Sequence, residues 1–283
     1  PTINYGKLRN RGFELEFGHQ NRIGEFTYGA GFMASINKNE VLELRAPSYG
    51  SYIYEVGKPY GEHYLYIWDG IFQSEEDIAN SPDHPNNPKP GDIKFKDLNN
   101  DGVIDGDDKT YFGYGENPEY IFGLNAGFEY KGFDFSAFFQ GSVGNDLLNI
   151  VKYDLYGGVG WYNAPKDILT TFWNGPGSTN ENFAIDADSR LNREMSEWFV
   201  ENGSYVRLKN LQIGYTIPSS ITKKITLNNL RVFVAAQNLF TITGYSGLDP
   251  EIGEFNQNPI YKGVDMGYYP QARTFMFGIS MKL

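Results

Sequence analysis

The residues best suited to do chemistry are the oxygen-bearing ones between Asp97 and Asp108, in the run Asp97-Leu98-Asn99-Asn100-Asp101-Gly102-Val103-Ile104-Asp105-Gly106-Asp107-Asp108. A hard divalent cation takes about six to eight oxygens at roughly 2.3–2.6 Å, and alternate residues of a tightly curled loop can aim them at one point. Asp97, Asn99 and Asp101 fall at positions 1, 3 and 5 of such a twelve-residue, EF-hand-like loop. Gly102 allows the turn at position 6, Val103 offers its carbonyl at 7, Asp105 sits at 9 and Asp108 at 12. The spacing predicts a calcium site, with magnesium as the alternative because Asp108 is shorter than the usual Glu. The competing reading is a polar turn, since Asn, Asp and Gly favour turns without any metal. Ile93-Lys94-Phe95 and Thr110-Tyr111-Phe112 flank the loop as short extended pieces, so it is expected to clip a non-helical region together rather than to act as a sensor.

No other constellation points to catalysis. His19, His63 and His84 lack metal spacing, and Gly157-Gly158-Val159-Gly160 lacks the Lys and Ser/Thr of a phosphate loop. Glu75 and Glu76 fall in a surface loop, where solvation is expected rather than the fixed cross-cleft separation of a glycosidase pair. The candidate ligand contacts are loop aromatics, Tyr64, Tyr66, Trp68, Trp161, Tyr162 and Trp173, whose rings could cover the C–H faces of sugars. Such residues also gather at membrane interfaces and in protein contacts.

These groups must be positioned by strands. Among 283 residues there are 33 Gly, 14 Pro, 21 Tyr and 21 Phe, a composition that suits strands and turns. The net charge of −11 argues against nucleic acid, which needs a clustered basic face. With no Cys there is neither a disulfide framework nor a thiolate site. The chain starts at Pro1, a few residues before a strand pattern, as expected of the later part of a longer polypeptide.

Apolar and polar residues alternate in Phe13–Gln20 and Phe26–Asn37, joined by a tight turn at Asn21–Gly24. They alternate again in Tyr120–Tyr130 and Phe135–Gln140 around Lys131-Gly132, in Tyr205–Ile217, in Leu230–Ile242 and in Phe275–Leu283. About seven strands are thus expected, joined alternately by short turns and by long irregular sections at 38–117, 145–203 and 244–271. An alternating strand of about 9–11 residues can cross a bilayer at a tilt. One greasy face, one polar Gly-rich face, and long connections all at one end describe a transmembrane antiparallel β-barrel with long extracellular loops. Closure is required in lipid, because an open edge leaves backbone groups unpaired at several kcal/mol each. About seven strands is too few to close, so further strands are expected from elsewhere.

Six segments, Asn10–Glu16, Asp69–Ser74, Pro90–Asp97, Phe139–Asp146, Ser204–Leu211 and Ala236–Phe240, resemble the C-terminal part of the SusC/RagA family of TonB-dependent outer-membrane transporters. The resemblance spans the whole chain. It implies a barrel of about 22 strands with a plug, placed in the bacterial outer membrane, driven by a TonB complex and covered by a SusD-type surface lipoprotein. The implied cargo is an oligosaccharide or, in some members, a peptide, and no catalytic residue is implied. The plug and the earlier strands would lie outside this chain. Leu283 stands where the family ends on an aromatic. The rivals are a secreted calcium-dependent adhesion module, which would not account for the lipid-facing strands, and a structural outer-membrane barrel without transport.

Overall fold

The computed structural model describes residues 6–44, 52–157, 162–186, 188–253 and 262–282. Seven long antiparallel strands run in chain order through one sheet. They are β1 (Gly6–Ile23), β2 (Phe26–Leu44), β3 (Tyr120–Tyr130), β4 (Phe133–Val143), β5 (Tyr205–Thr216), β6 (Asn229–Gln237) and β7 (Thr274–Lys282). Each pairs with its sequence neighbour. A short eighth strand, Thr241–Thr243, pairs with the first residues of β5 after the chain turns at Asn238. The expected single strand Leu230–Ile242 is therefore broken, because Asn238 takes a left-handed φ of 51° that no strand can accommodate.

The register shows why the alternation was so clean. Ile23, Phe26, Tyr130, Phe133, Tyr215, Val232 and Ile279 form one cross-strand row spanning all seven strands. The next row on the same face is Asn21, Tyr28, Phe128, Phe135, Ile213, Val234 and Phe277, and the one after is His19, Ala30, Ala126, Ala137, Leu211, Ala236 and Phe275. A one-residue slip at any pair would send that strand's apolar set to the wrong face, so the rows hold the register as much as the hydrogen bonds do. The polar exceptions, His19 and Asn21, both lie on β1.

The opposite face carries Gly31, Asn125, Phe138, Asn210, Gln237 and Thr274 in one row and Gly29, Gly127, Ser136, Gln212, Ala235 and Met276 in another. On that face Arg231 donates through Nε to Asp134 Oδ2 at 2.9 Å. Gly214 lies beneath this pair, and a Cβ there would meet both side chains.

Strand Tyr120–Tyr130 is 11 residues long, about 33 Å at ~3.3 Å per residue. At a tilt of roughly 40° that covers about 25 Å, the height of the apolar band of an outer-membrane barrel. β1 and β2, of 18 and 19 residues, project beyond the band on the side of the long connections. The first long section thus begins later than the expected residue 38, since β2 stays paired to β1 up to Leu44.

The short ends are simple. Gly24 at φ 62° turns β1 into β2, and Lys131-Gly132, at φ 48° and 87°, turns β3 into β4. Positive φ at both central residues matches the twist of the flanking strands. β5 and β6 are joined by a connector in which two helical turns, Ser219–Thr222 and Lys223–Ile225, follow Pro218.

The long sections are not irregular, and this departs from the sequence expectation. The first folds into Glu62–Tyr66 paired with Tyr52–Ile53 and Lys109–Phe112, the ribbon Trp68–Ile71 with Ile93–Phe95, and a helix Glu75–Ala79 capped by the Ser74 side chain. In the second, Asp146–Asn149 pairs antiparallel with Val200–Asn202 and parallel with Val264–Asp265 of the third. Together they bury Tyr66, Ile71, Phe72, Ile93, Phe95 and Ile104 of the first section, Leu148, Phe172, Phe183, Leu191, Trp198 and Phe199 of the second, and Val264 of the third in one core. Three sections that are distant in sequence make one lobe above the sheet. Strand periodicity could not show this, because the stripes involved are too short to carry a period.

Candidate functional site in the lobe and at its attachment to the sheet

The Asp97–Asp108 loop curls, and its side-chain oxygens satisfy its own backbone amides, as a polar turn does without metal. Asp97 accepts from the amides of Asn100 at 2.6 Å and Gly102 at 2.9 Å, Asn99 from Asp101 at 2.9 Å, and Asp101 from Val103 at 2.9 Å. These local side-chain to backbone bonds are the reason Asp and Asn favour turns. Asn100 and Gly102 take positive φ of 60° and 87°, and the second is a position where a glycine relieves strain. Asp108 is fully buried. It accepts from the Leu98 amide at 2.8 Å through one oxygen and from the Asp105 amide at 2.9 Å through the other, tying both ends of the loop. Ile104 is buried in the lobe core and bonds through its amide to the Asp83 carbonyl at 2.8 Å.

The donors Asp97, Asn99, Asp101, Val103, Asp105 and Asp108 are hard oxygens of the kind calcium takes. In this conformation, however, no three acidic or histidine side chains among the described residues gather closely enough to hold an ion. Coordination requires carboxylates now bonded to amides to turn inward. The loop's flanks, Ile93–Phe95 and Lys109–Phe112, are short strands, as their sequence suggests.

The six candidate aromatics separate. Tyr66 is buried and stacks on Phe95 with ring centres 4.9 Å apart. Trp68 packs on the core and donates to the Gly70 carbonyl at 3.0 Å. Trp173 also packs on the core and donates to Gln73 Oε1 at 3.2 Å. Tyr64 meets Tyr111 edge-on, with ring centres 5.2 Å apart. Tyr162 is exposed, and Trp161 lies outside the described residues. Trp198 sits among Phe172, Phe183, Phe199 and Tyr156, with Lys152 Nζ 3.8 Å from the centre of its ring. The buried Trp198 thus packs within the lobe core, whereas Tyr162 is exposed.

Two buried polar groups of the lobe were invisible in the sequence. Asp92 accepts from Ser189 Oγ at 2.8 Å and Asn192 Nδ2 at 3.0 Å, and Asn192 in turn caps the Ile93 amide at 2.8 Å. That chain of bonds fastens the second long section to the first. Burial raises the Asp92 pKa against the bonds that stabilise its anion. His63 is fully buried, and burial lowers its pKa to about 4, so it is neutral at pH 7.

Attachment of the third section to the sheet depends on Arg207, which is 2% exposed. Its guanidinium donates through Nε to Thr241 Oγ1 at 2.7 Å and through Nη1 to Glu251 Oε2 at 2.7 Å, and it pairs with Asp249 through Nη2. Lys209 adds a second cation on Glu251 at 2.6 Å. Desolvation raises the pKa of Asp249, but amide bonds from Gln271 and Glu251 and the Arg207 charge outweigh it and hold the carboxyl below its usual range. Lys209 is the extra residue of a bulge, the register of β5 on β4 shifting between Leu208 and Asn210. The sequence signal was present in the segment Ser204–Leu211, where two cations interrupt an apolar strand.

No protein-family model matches the chain. Among curated proteins it is 33% identical over 297 residues to TonB-dependent receptor P3 of Formosa agariphila, an alignment covering 99% of this chain and 29% of that protein. It is 26% identical to TonB-dependent receptor SusC of Bacteroides thetaiotaomicron, covering 99% of this chain and 27% of that protein. Among solved structures, the RagAB peptide transporter superposes with a TM-score of 0.76 at 22% identity, covering 98% of this chain and 30% of that one. Over nearly its whole length the chain resembles TonB-dependent receptors, SusC among them.

Like those receptors it is a transmembrane β-barrel segment of the bacterial outer membrane, and the apolar rows described above make the face suited to lipid. The RagAB likeness, at its low identity, carries the fold alone. The chain spans under a third of the length of the curated receptors it matches.

Proposed function

We propose that the protein to which this chain belongs imports oligosaccharides or peptides across the outer membrane, driven by a TonB complex. In this reading the seven strands are the C-terminal part of a barrel of about 22 strands, closed by earlier strands and plugged by a domain outside this chain. A SusD-type surface lipoprotein covers the lobe as a lid. The observation that carries the reading is the lobe itself, in which three long connections from one end of the barrel fuse around a common core. Such a body is a rigid seat for a lid, which three independent loops would not be. Leu169 and Tyr162 stand exposed on it, apolar and aromatic surface of the kind that anchors protein contacts. The names of the relatives support the receptor and transporter class rather than an enzyme.

Within the same proposal Tyr162 and Tyr64 are the cargo-side aromatics, because Tyr66, Trp68 and Trp173 are committed to the core or its margin. The Asp97–Asp108 loop takes calcium, or magnesium, as a brace for the lobe. Its donor order supports this, and an affinity of about 10⁻⁴–10⁻³ M, as in extracellular modules, would keep it filled outside the cell.

The test is to recover the full-length protein from outer membranes with a photo-crosslinker at Leu169 or Tyr162. Capture of a surface lipoprotein, together with a co-purified glycan or peptide identified by mass spectrometry, is the expected result. Crosslinking only to lipid or to further barrel chains would refute the lid. Terbium luminescence on the same preparation reads the metal, and a signal unchanged by Asp101→Ala would refute the brace.

A further inference from the structure

On the lipid face, one row beyond Phe13, Ile36 and Tyr120, the side-chain chemistry changes. Arg11 stands directly opposite Lys38, and the next position on the face pairs Arg9 with Glu40. Like charges facing each other across a ladder are destabilising by themselves. The neighbouring carboxylates only partly offset them. Glu40 is taken by Arg9, and Glu119 Oε1 lies 3.6 Å from Lys38 Nζ while the Lys38 side chain stays 76% exposed. Arg11 is exposed and has no carboxylate in ion-pairing range among the described residues.

Between these groups lies a recess of about 530 Å³ whose lining includes Arg9, Arg11, Phe13, Ile36, Lys38 and the carboxylate Glu40. Its apolar floor continues the membrane-facing rows, and its rim holds three cations against one carboxylate, Glu40, which Arg9 takes. The Arg11–Lys38 pair is two residues beyond the edge of the apolar band, about 5 Å further along the membrane normal at the strand tilt used above. That is the depth of lipid headgroups. A guanidinium and an ammonium lining one recess at that depth match a phosphate, which Arg meets with paired N–H groups and Lys as a point charge.

We propose that Arg11 and Lys38, assisted by Arg9, bind the phosphate of a lipid headgroup in the leaflet on the lobe side, with the lipid's acyl chain lying along Phe13 and Ile36. A lipid suits the recess better than a free anion, because inorganic phosphate would leave the apolar floor uncovered. The bound phosphate offsets the repulsion built into the Arg11–Lys38 pair. The site rests on the placement of this sheet in the membrane and is independent of what the receptor imports.

The experiment uses the full-length receptor inserted into phosphatidylcholine vesicles, with and without phosphatidic acid, and reads the lipids retained on extraction by native mass spectrometry. Phosphatidic acid is expected to be retained selectively. Arg11→Gln and Lys38→Gln should each reduce the selectivity about fivefold, the usual contribution of one basic residue near an anionic surface, and Arg11→Lys should keep most of it. In zwitterionic detergent the Gln variants should be no less stable than wild type, since each removes one of two facing cations. An excess of inorganic phosphate should leave the lipid bound. Equal selectivity in wild type and both Gln variants would overturn the proposal. Displacement by inorganic phosphate would reassign the site to a soluble anion and overturn the lipid. Failure of the wild-type receptor to insert in either vesicle would strike at the barrel placement, and at this site with it.

Discussion

A charge placed along β7 should report its depth in the bilayer. Phe275, Phe277 and Ile279 occupy successive rows of the lipid face and are largely exposed in this sheet. Rows on one face are two residues apart, ~6.6 Å along the strand and about 5 Å along the normal at a tilt of roughly 40°. Taking the Ile279 row as the edge of a band about 25 Å high, Phe277 lies about 5 Å in and Phe275 about 10 Å in, close to the midplane. An Arg costs about 2–4 kcal/mol at the midplane and about 0–1 near the interface. The expected destabilisation is therefore about 2–4 kcal/mol for Phe275→Arg, about 1–3 for Phe277→Arg and under about 1 for Ile279→Arg. On the opposite face, Ser280→Arg should cost less than Phe277→Arg, because that face is wet and the repulsion from the facing Arg231 amounts to at most about 1 kcal/mol. The assay is reversible denaturant unfolding of the full-length receptor in vesicles of one lipid composition, scored by band shift on unheated gels. A cost at Ser280 equal to that at Phe277, or a series that does not rise from Ile279 to Phe275, would refute the assignment of faces and the band position together.

Arg207→Met should destabilise the attachment of the third section by about 3–5 kcal/mol, since it leaves Asp249 and Glu251 facing each other without their buried cation; adding Asp249→Asn should recover part of the loss in thermal unfolding read by tryptophan fluorescence. Asp249→Asn alone, without the Arg207 change, should also destabilise, and no loss in that variant would contradict the pairing. His63 gives a pH prediction. Its folded pKa of about 4 lies below the ordinary ~6.5 of an unfolded chain, so its neutral form contributes stability that is complete above pH ~6.5 and is lost as the pH falls toward 4, about 3 kcal/mol in all. His63→Leu should flatten lobe stability across that window, and an unchanged slope would exclude His63 as its source. Trp198→Ala should cost the lobe about 3–5 kcal/mol while the strand signal in far-UV circular dichroism persists, because its contacts are in the lobe core and not in the sheet; loss of both together would show that lobe and sheet fold as one unit.

What could be read from the sequence was whatever repeats with period two. Seven strands, their faces and the long-short alternation of connections follow from side chains that must alternate between lipid and lumen, and the observed rows place Phe13, Phe122, Phe135, Leu211 and Phe277 on the face their spacing assigned. What could not be read was non-local. The long sections look irregular because their strands are two to five residues long and they are held together by residues far apart in the chain, as when Asn192 caps Ile93, 99 positions away. A loop aromatic gives no sign in one dimension of whether it faces a ligand or a neighbouring loop. Tyr66 and Tyr162 are indistinguishable there, yet one is stacked in the core and the other is exposed. The acidic loop shows the same division from the other side. Its curl is local and was legible, but where its carboxylates point depends on competition between backbone amides and a cation. In the proposed brace that competition would be decided by the calcium concentration outside the chain. Ion-driven turning of Asp101 and Asp105 away from the Val103 and Asp107 amides they now accept from would thus be the local event that converts a self-capped turn into a brace for the lobe.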